Sequence, residues 1–323
     1  MIEDRLAPYF SIRGILTYPI ATLIVMFLLY GFYIAIFALS LRVLLRRNNP
    51  ISRIYLALVI TLFVLATLAN ICEATGLIQQ AVLLLSVLKS KDYFRLIRYL
   101  QHDAGKTALS VILNLTNVVM NVIADFMLIH RCYSIWGSNE LMLYSLGLIA
   151  FVINGTILGS LIAASVGYND TSVLSNVLLF EKANKINTGS WLAVAAFNLL
   201  LTLLMAGRIW WITREIREVM GKPIVKRYHK LVAVILESGI LYSTALLTSI
   251  AVNLALDPDD HGYLPIDLSV ITYQMSGIAP TLIIVRIAYR KMVETSIIEG
   301  GPISTLHFAA RSLEVQQGSK PEV

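Results

Sequence analysis

The chain has 323 residues, of which 57% are hydrophobic and 14% are charged, with a formal net charge of +6. Soluble domains carry about 25% charged residues, so this composition excludes an ordinary soluble enzyme or binding domain. Its basic excess suits membrane topology and anionic lipid, and it asks for no nucleic acid.

Residues 1–18 are mixed in charge and lack a basic region followed directly by a cleavable apolar core. No signal peptide is expected, and the segment reads as an extracellular N-terminus. Seven apolar runs follow, at about 19–41, 54–75, 108–135, 141–166, 190–212, 231–256 and 266–289, each long enough to cross a lipid core about 30 Å thick. The expected fold is therefore all-α, a seven-transmembrane helix bundle over residues 19–289, in contact with the lipid bilayer. The polar residues 290–323 read as a flexible cytoplasmic tail.

The first span closes on Arg42, Arg46 and Arg47. The second carries Asn70 and Glu73 near its far end, and either runs long and tilted or breaks at Gly76. Between Lys89 and Lys106, aromatic and aliphatic residues alternate with Lys and Arg, as in a helix lying on the membrane surface.

The third span carries the main polar signal. At about 100° per residue, Asn114, Asn117, Asn121, Asp125 and Cys132 fall within an arc of roughly 80°. Amides and a carboxylate are costly in hydrocarbon, so the stripe faces protein or a wet cavity, and this helix is placed at the centre of the bundle. The stripe reads as a ligand, ion or switch axis, or else as inter-helix glue.

In the fourth span Gly155, Gly159 and Ala163 repeat every four residues, which reads as close helix packing. Residues 167–187 read as a polar loop. The fifth span ends in an interfacial Arg208, Trp210 and Trp211, and a basic loop follows it. In the sixth span Ser238, Tyr242, Ala245, Ser249 and Asn253 share one face. With Thr272, Tyr273, Gln274 and Ser276 of the seventh, they either line a small polar cavity or pack. Pro280 kinks the seventh span.

Seven spans put the termini on opposite sides, and the charges choose between them. Fifteen Lys and Arg lie at the ends holding Arg42, Arg131, Arg208 and Arg286, against nine at the other. The N-terminus is therefore expected outside and the C-terminus in the cytoplasm. The acidic turn Asp257–Asp260 and the sequon at Asn169 then fall outside, which makes Asn169 a candidate glycosylation site. Cys72 and Cys132 lie near opposite membrane faces, too far apart to pair.

Asp125, Arg131, Arg208, Glu237 and Arg286 fall at similar depth on four helices. They form either an inner charge network that locks one state of the bundle, or arginines snorkelling to headgroups beside acids satisfied locally. No catalytic set is evident. The histidines do not cluster for a metal, no glycine-rich phosphate loop is present, and no cofactor is implied. The chain is not expected to be an enzyme.

Four ordered motifs, Leu128–Trp136 (LIHRCYSIW) after Asp125, Gly207–Trp210 (GRIW), Glu237–Ser243 (ESGILYS) and Gly277–Arg286 (GIAPTLIIVR), look like the recurrent motifs of a large group of seven-span orphan proteins from basidiomycete fungi. The resemblance covers nearly all the chain. That group is described as G-protein-coupled-receptor-like, and the resemblance implies fold and source rather than an activity. His130 stands where rhodopsin-type receptors keep an acid before the arginine, and the seventh span has no Asn-Pro-x-x-Tyr motif. The expectation is a receptor-like protein of the plasma membrane. It would sense an unknown extracellular small molecule and signal to the cytoplasm, with a heterotrimeric G protein as candidate partner. The alternative is a small-solute, ion or proton transporter or channel using Asp125 and Glu237.

Overall fold

The computed structural model describes residues 13–46, 50–101, 103–170, 172–256 and 266–299. The acidic turn Asp257–Asp260, the tail beyond residue 299 and Thr171 of the sequon lie outside the described residues.

Among the described residues the chain forms a bundle of seven α-helices. A short π-helical turn, Arg13–Thr17, leads into α1 (Tyr18–Leu45), followed by α2 (Pro50–Ser90), α3 (Tyr93–Gln101), α4 (Ala104–Ile135), α5 (Glu140–Asn169), α6 (Leu174–Leu256) and α7 (Ser269–Glu299). Local chemistry sets the boundaries. Pro19 stands in the first turn of α1, where its missing N–H costs nothing. Asp103 caps α4 by accepting from the Lys106 N–H at 2.9 Å, and Asn139 caps α5 by accepting from the Leu141 N–H at 3.0 Å. Gly137, at φ +73°, turns the chain between α4 and α5.

Five stretches of the described residues are long and apolar enough to cross a membrane: Gly14–Leu45, Ser52–Ser90, Ala104–Ile135, Glu140–Asn169 and Leu174–Arg214. A shorter apolar stretch, Gly239–Ala255, and α7 pack into the same bundle. Outward-facing side chains are themselves apolar, among them Phe27, Phe32, Phe151 and Val152. A water-facing helix would place polar residues there, so these faces are built for lipid.

α6 is not a straight rod. A helix rises about 1.5 Å per residue, so Ala195 and Ser243 would stand about 70 Å apart along one. Instead the Ser243 hydroxyl donates to the Ala195 carbonyl at 3.3 Å, and Gly239 lies against Thr202. The chain therefore doubles back between Thr202 and Gly239, and α6 contributes two antiparallel arms.

α4 is the central helix. It packs against α2, α5, α6 and α7, and 56% of its most apolar window is buried, against 17% for α1. On one side Met120 and Met127 meet Tyr33, Val59, Leu62 and Ile278. On the other, Leu128 and Cys132 meet Leu146, Phe197, Leu201 and Met205. Cys72 and Cys132 are buried and free. The end of the bundle that starts α1 is called outer below, following the charge rule.

The structure selects one of two alternatives for α2 and departs from the sequence reading in three places. α2 runs unbroken through Gly76, where the Leu109 side chain covers the glycine at 3.3 Å from an ideal Cβ. Much of the expected 167–187 loop is helix from Leu174 onward, held by stacking of Phe180 on Tyr168 and by burial of Ala183. α7 continues past residue 289 to Glu299. The Gly155 and Gly159 stripe packs against nothing, and a Cβ there would meet open space. Close approach occurs instead at Gly239, against Thr202, and at Gly277, against Tyr33.

These glycines separate two kinds of position. Gly239→Ala and Gly277→Ala force a methyl into occupied space, and each is expected to cost about 1–3 kcal/mol, read as a lower midpoint of thermal unfolding in detergent. Gly155→Ala and Gly159→Ala are expected to be neutral or stabilising, because alanine is the better helix former. Equal loss at all four positions would contradict the packing described.

Candidate functional site

Successive turns of α4 carry Asn117, Asn121 and Asp125 toward the bundle interior, each buried. Asp125 is 2% exposed. A carboxylate at that depth needs donors, and its neighbours supply amides rather than cations. Its Oδ2 accepts from Asn154 Nδ2 of α5 at 2.9 Å and from Asn121 Nδ2 at 3.2 Å. Asn121 Nδ2 also donates to Asn154 Oδ1 at 2.9 Å, and Asn154 Nδ2 donates back to the Ala150 carbonyl at 2.9 Å. From the second arm of α6 the Tyr242 hydroxyl donates to Asn121 Oδ1 at 3.3 Å. Hydrogen bonds to a charged group contribute about 1.5–3 kcal/mol each, so this knot ties α4, α5 and α6 together.

The other carboxylate oxygen, Asp125 Oδ1, is buried without a hydrogen-bond partner. Asn198, on the first arm of α6, turns its side chain to this carboxylate but commits its Nδ2 to the Val194 carbonyl at 3.1 Å. Beside the knot is a void about the size of one water molecule, between Ala124, Leu128, Gly239, Tyr242, Ala279 and Pro280. Its walls are mostly apolar, with Asn198 and Ser276 the polar exceptions, and it has room for no more than a water, so it is slack in the packing rather than a pocket for a ligand. Pro280 offers no N–H to the carbonyl one turn back, so α7 is weakest where it borders this slack.

The remaining stripe residues divide by position. Asn114 spends its Nδ2 on Ser110 of its own helix, on the backbone carbonyl at 2.8 Å and the hydroxyl at 3.3 Å. Asn117 is buried with both amide atoms unpartnered. Gln274 donates from Nε2 to Asn70 Oδ1 at 2.5 Å. Tyr273 is half-buried beside it, and Ser249 is buried on the second arm of α6. Asn169 is the exposed last residue of α5.

The five charged residues read as one inner network resolve into one pair, Glu237 with Arg286, and three residues that stand apart from it. Arg286 donates to Glu237 from both terminal nitrogens, at 2.6 and 3.3 Å, a forked pair joining α7 to the second arm of α6. Arg131 instead lies 5.6 Å over the Tyr55 ring, while Tyr55 also hydrogen-bonds His130 Nδ1 at 2.9 Å. Arg208 lies 5.4 Å over Trp136. Asp125 belongs to the amide knot. Helical phase separates it from Arg131, since six residues turn a helix through about 600° and leave the two side chains about 120° apart.

Sequence reasoning missed Asn154 and Asn198. Each is a single amide within an apolar run, and that isolation was the available signal. Asn154 also opens an Asn-Gly-Thr sequon, but one that lies within an apolar span. Among the described residues no group of three or more His, Cys, Asp and Glu could hold a metal ion.

Two double-mutant cycles test these contacts. Asn154→Ala removes the shortest donor to Asp125 and is expected to cost about 1–3 kcal/mol of stability. Its effect should be non-additive with Asp125→Asn by more than about 0.5 kcal/mol. At the inner end Glu237→Arg and Arg286→Glu should each lower the unfolding midpoint, and the double exchange should restore much of the loss. Simple additivity in either cycle would remove that contact from the account.

No family model matches the chain, and comparisons with curated proteins and with solved structures find no match.

Proposed function

We propose that this multi-pass membrane protein is a seven-span receptor of the plasma membrane. Its N-terminus is outside and its C-terminus cytoplasmic, and it senses an extracellular small molecule and signals through its arginine-rich inner end. The two arms of α6 count as spans five and six, and α7 as span seven. The family proposed is the receptor-like seven-span orphan group of basidiomycete fungi that the four motifs resemble.

One observation carries the reading. α7 and the second arm of α6 border the slack around Pro280 and are tied again at the Glu237–Arg286 pair. The pair lies at the rim of the bundle, with Arg286 at 30% and Glu237 at 58% exposure, so it can part without opening the packed interior. A ligand that repacks the outer half of α7 can move this latch without unfolding the core. Arg131, Arg208 and Arg286 ring the same end, where an acidic cytoplasmic partner such as a G protein would dock.

A second reading is transport of a proton, ion or small solute through Asp125 or Glu237. It is favoured by the buried, unpartnered Asp125 Oδ1.

Tagged protein captured from its native membranes, washed with and without a non-hydrolysable GTP analogue, separates the two. Release of a co-purified Gα subunit by the nucleotide is the expected result. Folded protein that never carries a Gα, yet supports solute flux in liposomes that Asp125→Asn abolishes, would replace the receptor reading with transport.

A further inference from the structure

A second polar layer lies outward of the Asp125 knot. Tyr55 meets His130 and Gly76 meets Leu109, so α2 and α4 run antiparallel in constant register. Each step along α2 is one step back along α4, which brings Asn70 level with Leu115, close to Asn117. Gln274 of α7 bonds Asn70 directly, and Asn117 lies about 3 Å inward of that pair along α4. Asn70, Asn117 and Gln274 are 6%, 3% and 2% exposed. Four of their polar atoms have no partner: Asn70 Nδ2, Asn117 Nδ2 and Oδ1, and Gln274 Oε1. Buried amides left open in this way are rare, because each carries the full cost of losing water.

What lies above them is acidic. Glu73 follows Asn70 by three residues on the same face of α2. Asp267 caps α7 by accepting from the Ser269 N–H at 2.8 Å, and its own N–H is pinned to the Thr22 hydroxyl of α1 at 3.0 Å. Glu73, Asp267 and Tyr273 are within electrostatic reach of one another. Among the described residues neither carboxylate forms an ion pair. Lys106, the cation of α4 at this end, sits 4.1 Å over the Tyr168 ring. The side chain of Arg13 lies outside the described residues.

We propose that this layer binds a small cation, a monovalent metal ion or the ammonium group of an organic ligand. Glu73 and Asp267 draw the cation in at the mouth. Glu73 and the open amide oxygens of Asn117 and Gln274 hold it. The chemistry follows from sign and hardness. Two carboxylates within electrostatic reach repel, a cation between them removes that repulsion, and amide oxygens are ligands for hard ions and acceptors for N–H donors. Asp267 stands about 10 Å above Gln274, two helical turns away, so the acids form an entrance and the amides a floor. Field lines focused between low-dielectric helices raise the local cation concentration there. The site names the ligand class for the receptor reading and rests on that reading only for which side of the membrane supplies the cation.

Purified full-length protein in detergent is blind to sidedness and to coupling, so the test is independent of the Gα capture. Thermal unfolding is followed at constant ionic strength while N-methyl-D-glucamine chloride is replaced by NaCl, KCl or methylammonium chloride. At saturation the midpoint is expected to rise by about 3 °C or more. A response to the metal salts alone identifies an ion site, and a response to methylammonium identifies an ammonium site. Glu73→Gln should abolish the rise. Asp267→Asn, which retains the helix cap, should raise the half-saturating concentration about tenfold. Retention of ²²Na⁺ or labelled methylammonium by the wild-type protein gives a readout that needs no variant to fold. No rise with any of the three salts, or a response that survives Glu73→Gln, overturns the proposal.

Discussion

A carboxylate within a helix bundle in lipid has no water to satisfy it, and the bundle closes around that constraint at Asp125. Its donors come from α4 itself through Asn121 and from α5 through Asn154, and Tyr242 of the second arm of α6 in turn holds Asn121. Each of these helices must present one particular face to α4 for the amides to reach. Apolar packing alone would allow several rotations of each helix at similar energy, since lipid tails are as apolar as leucine. The amide knot fixes the rotation, and the methionine and leucine clusters fill the space that remains.

The two ends of the bundle handle polarity differently. Between the knot and the outer end, amides are gathered at nearby levels and left partly open. At the inner end, cations rest on aromatic faces, Arg131 on Tyr55 and Arg208 on Trp136, and Arg286 is paired with Glu237. Arginine on an aromatic face keeps its charge available to a third party, whereas a closed salt bridge does not. The asymmetry is one of chemistry, with open amides toward one end and cations on aromatic faces at the other.

Much of this was legible in the chain. The α4 stripe was visible because Asn117, Asn121 and Asp125 repeat at the helical period, and periodicity survives in one dimension. Glu237 and Arg286 were legible as charges at matched depth, though depth alone could not choose among three arginines. Asn154 and Asn198 escaped because one amide in an apolar run has no period. What gives them meaning is the helix they face, which no local pattern records. The small-residue stripe of α5 misled for a related reason. Gly155 and Gly159 have the spacing of a packing surface, but a spacing does not say whether a partner is there. The helical 174–187 segment escaped because its polar residues read as a loop, while Tyr168 and Ala183 supply the contacts that hold it as a helix.

One dimension of the molecule follows from the unbroken run through Gly76. α2 has 41 residues, which makes a rod about 60 Å long against a lipid core of about 30 Å. A rod of that length either tilts strongly or extends beyond the hydrocarbon, and its outer third packs Leu84 and Val87 against Ile15 and Leu96. Such a rod is a lever with its fulcrum in the membrane. A tilt of about 5° carries one end past the other by about 5 Å, roughly a turn of helix. Any repacking of the outer cap around Leu84 and Val87 is thereby geared mechanically to Tyr55 and the arginine that rests upon it.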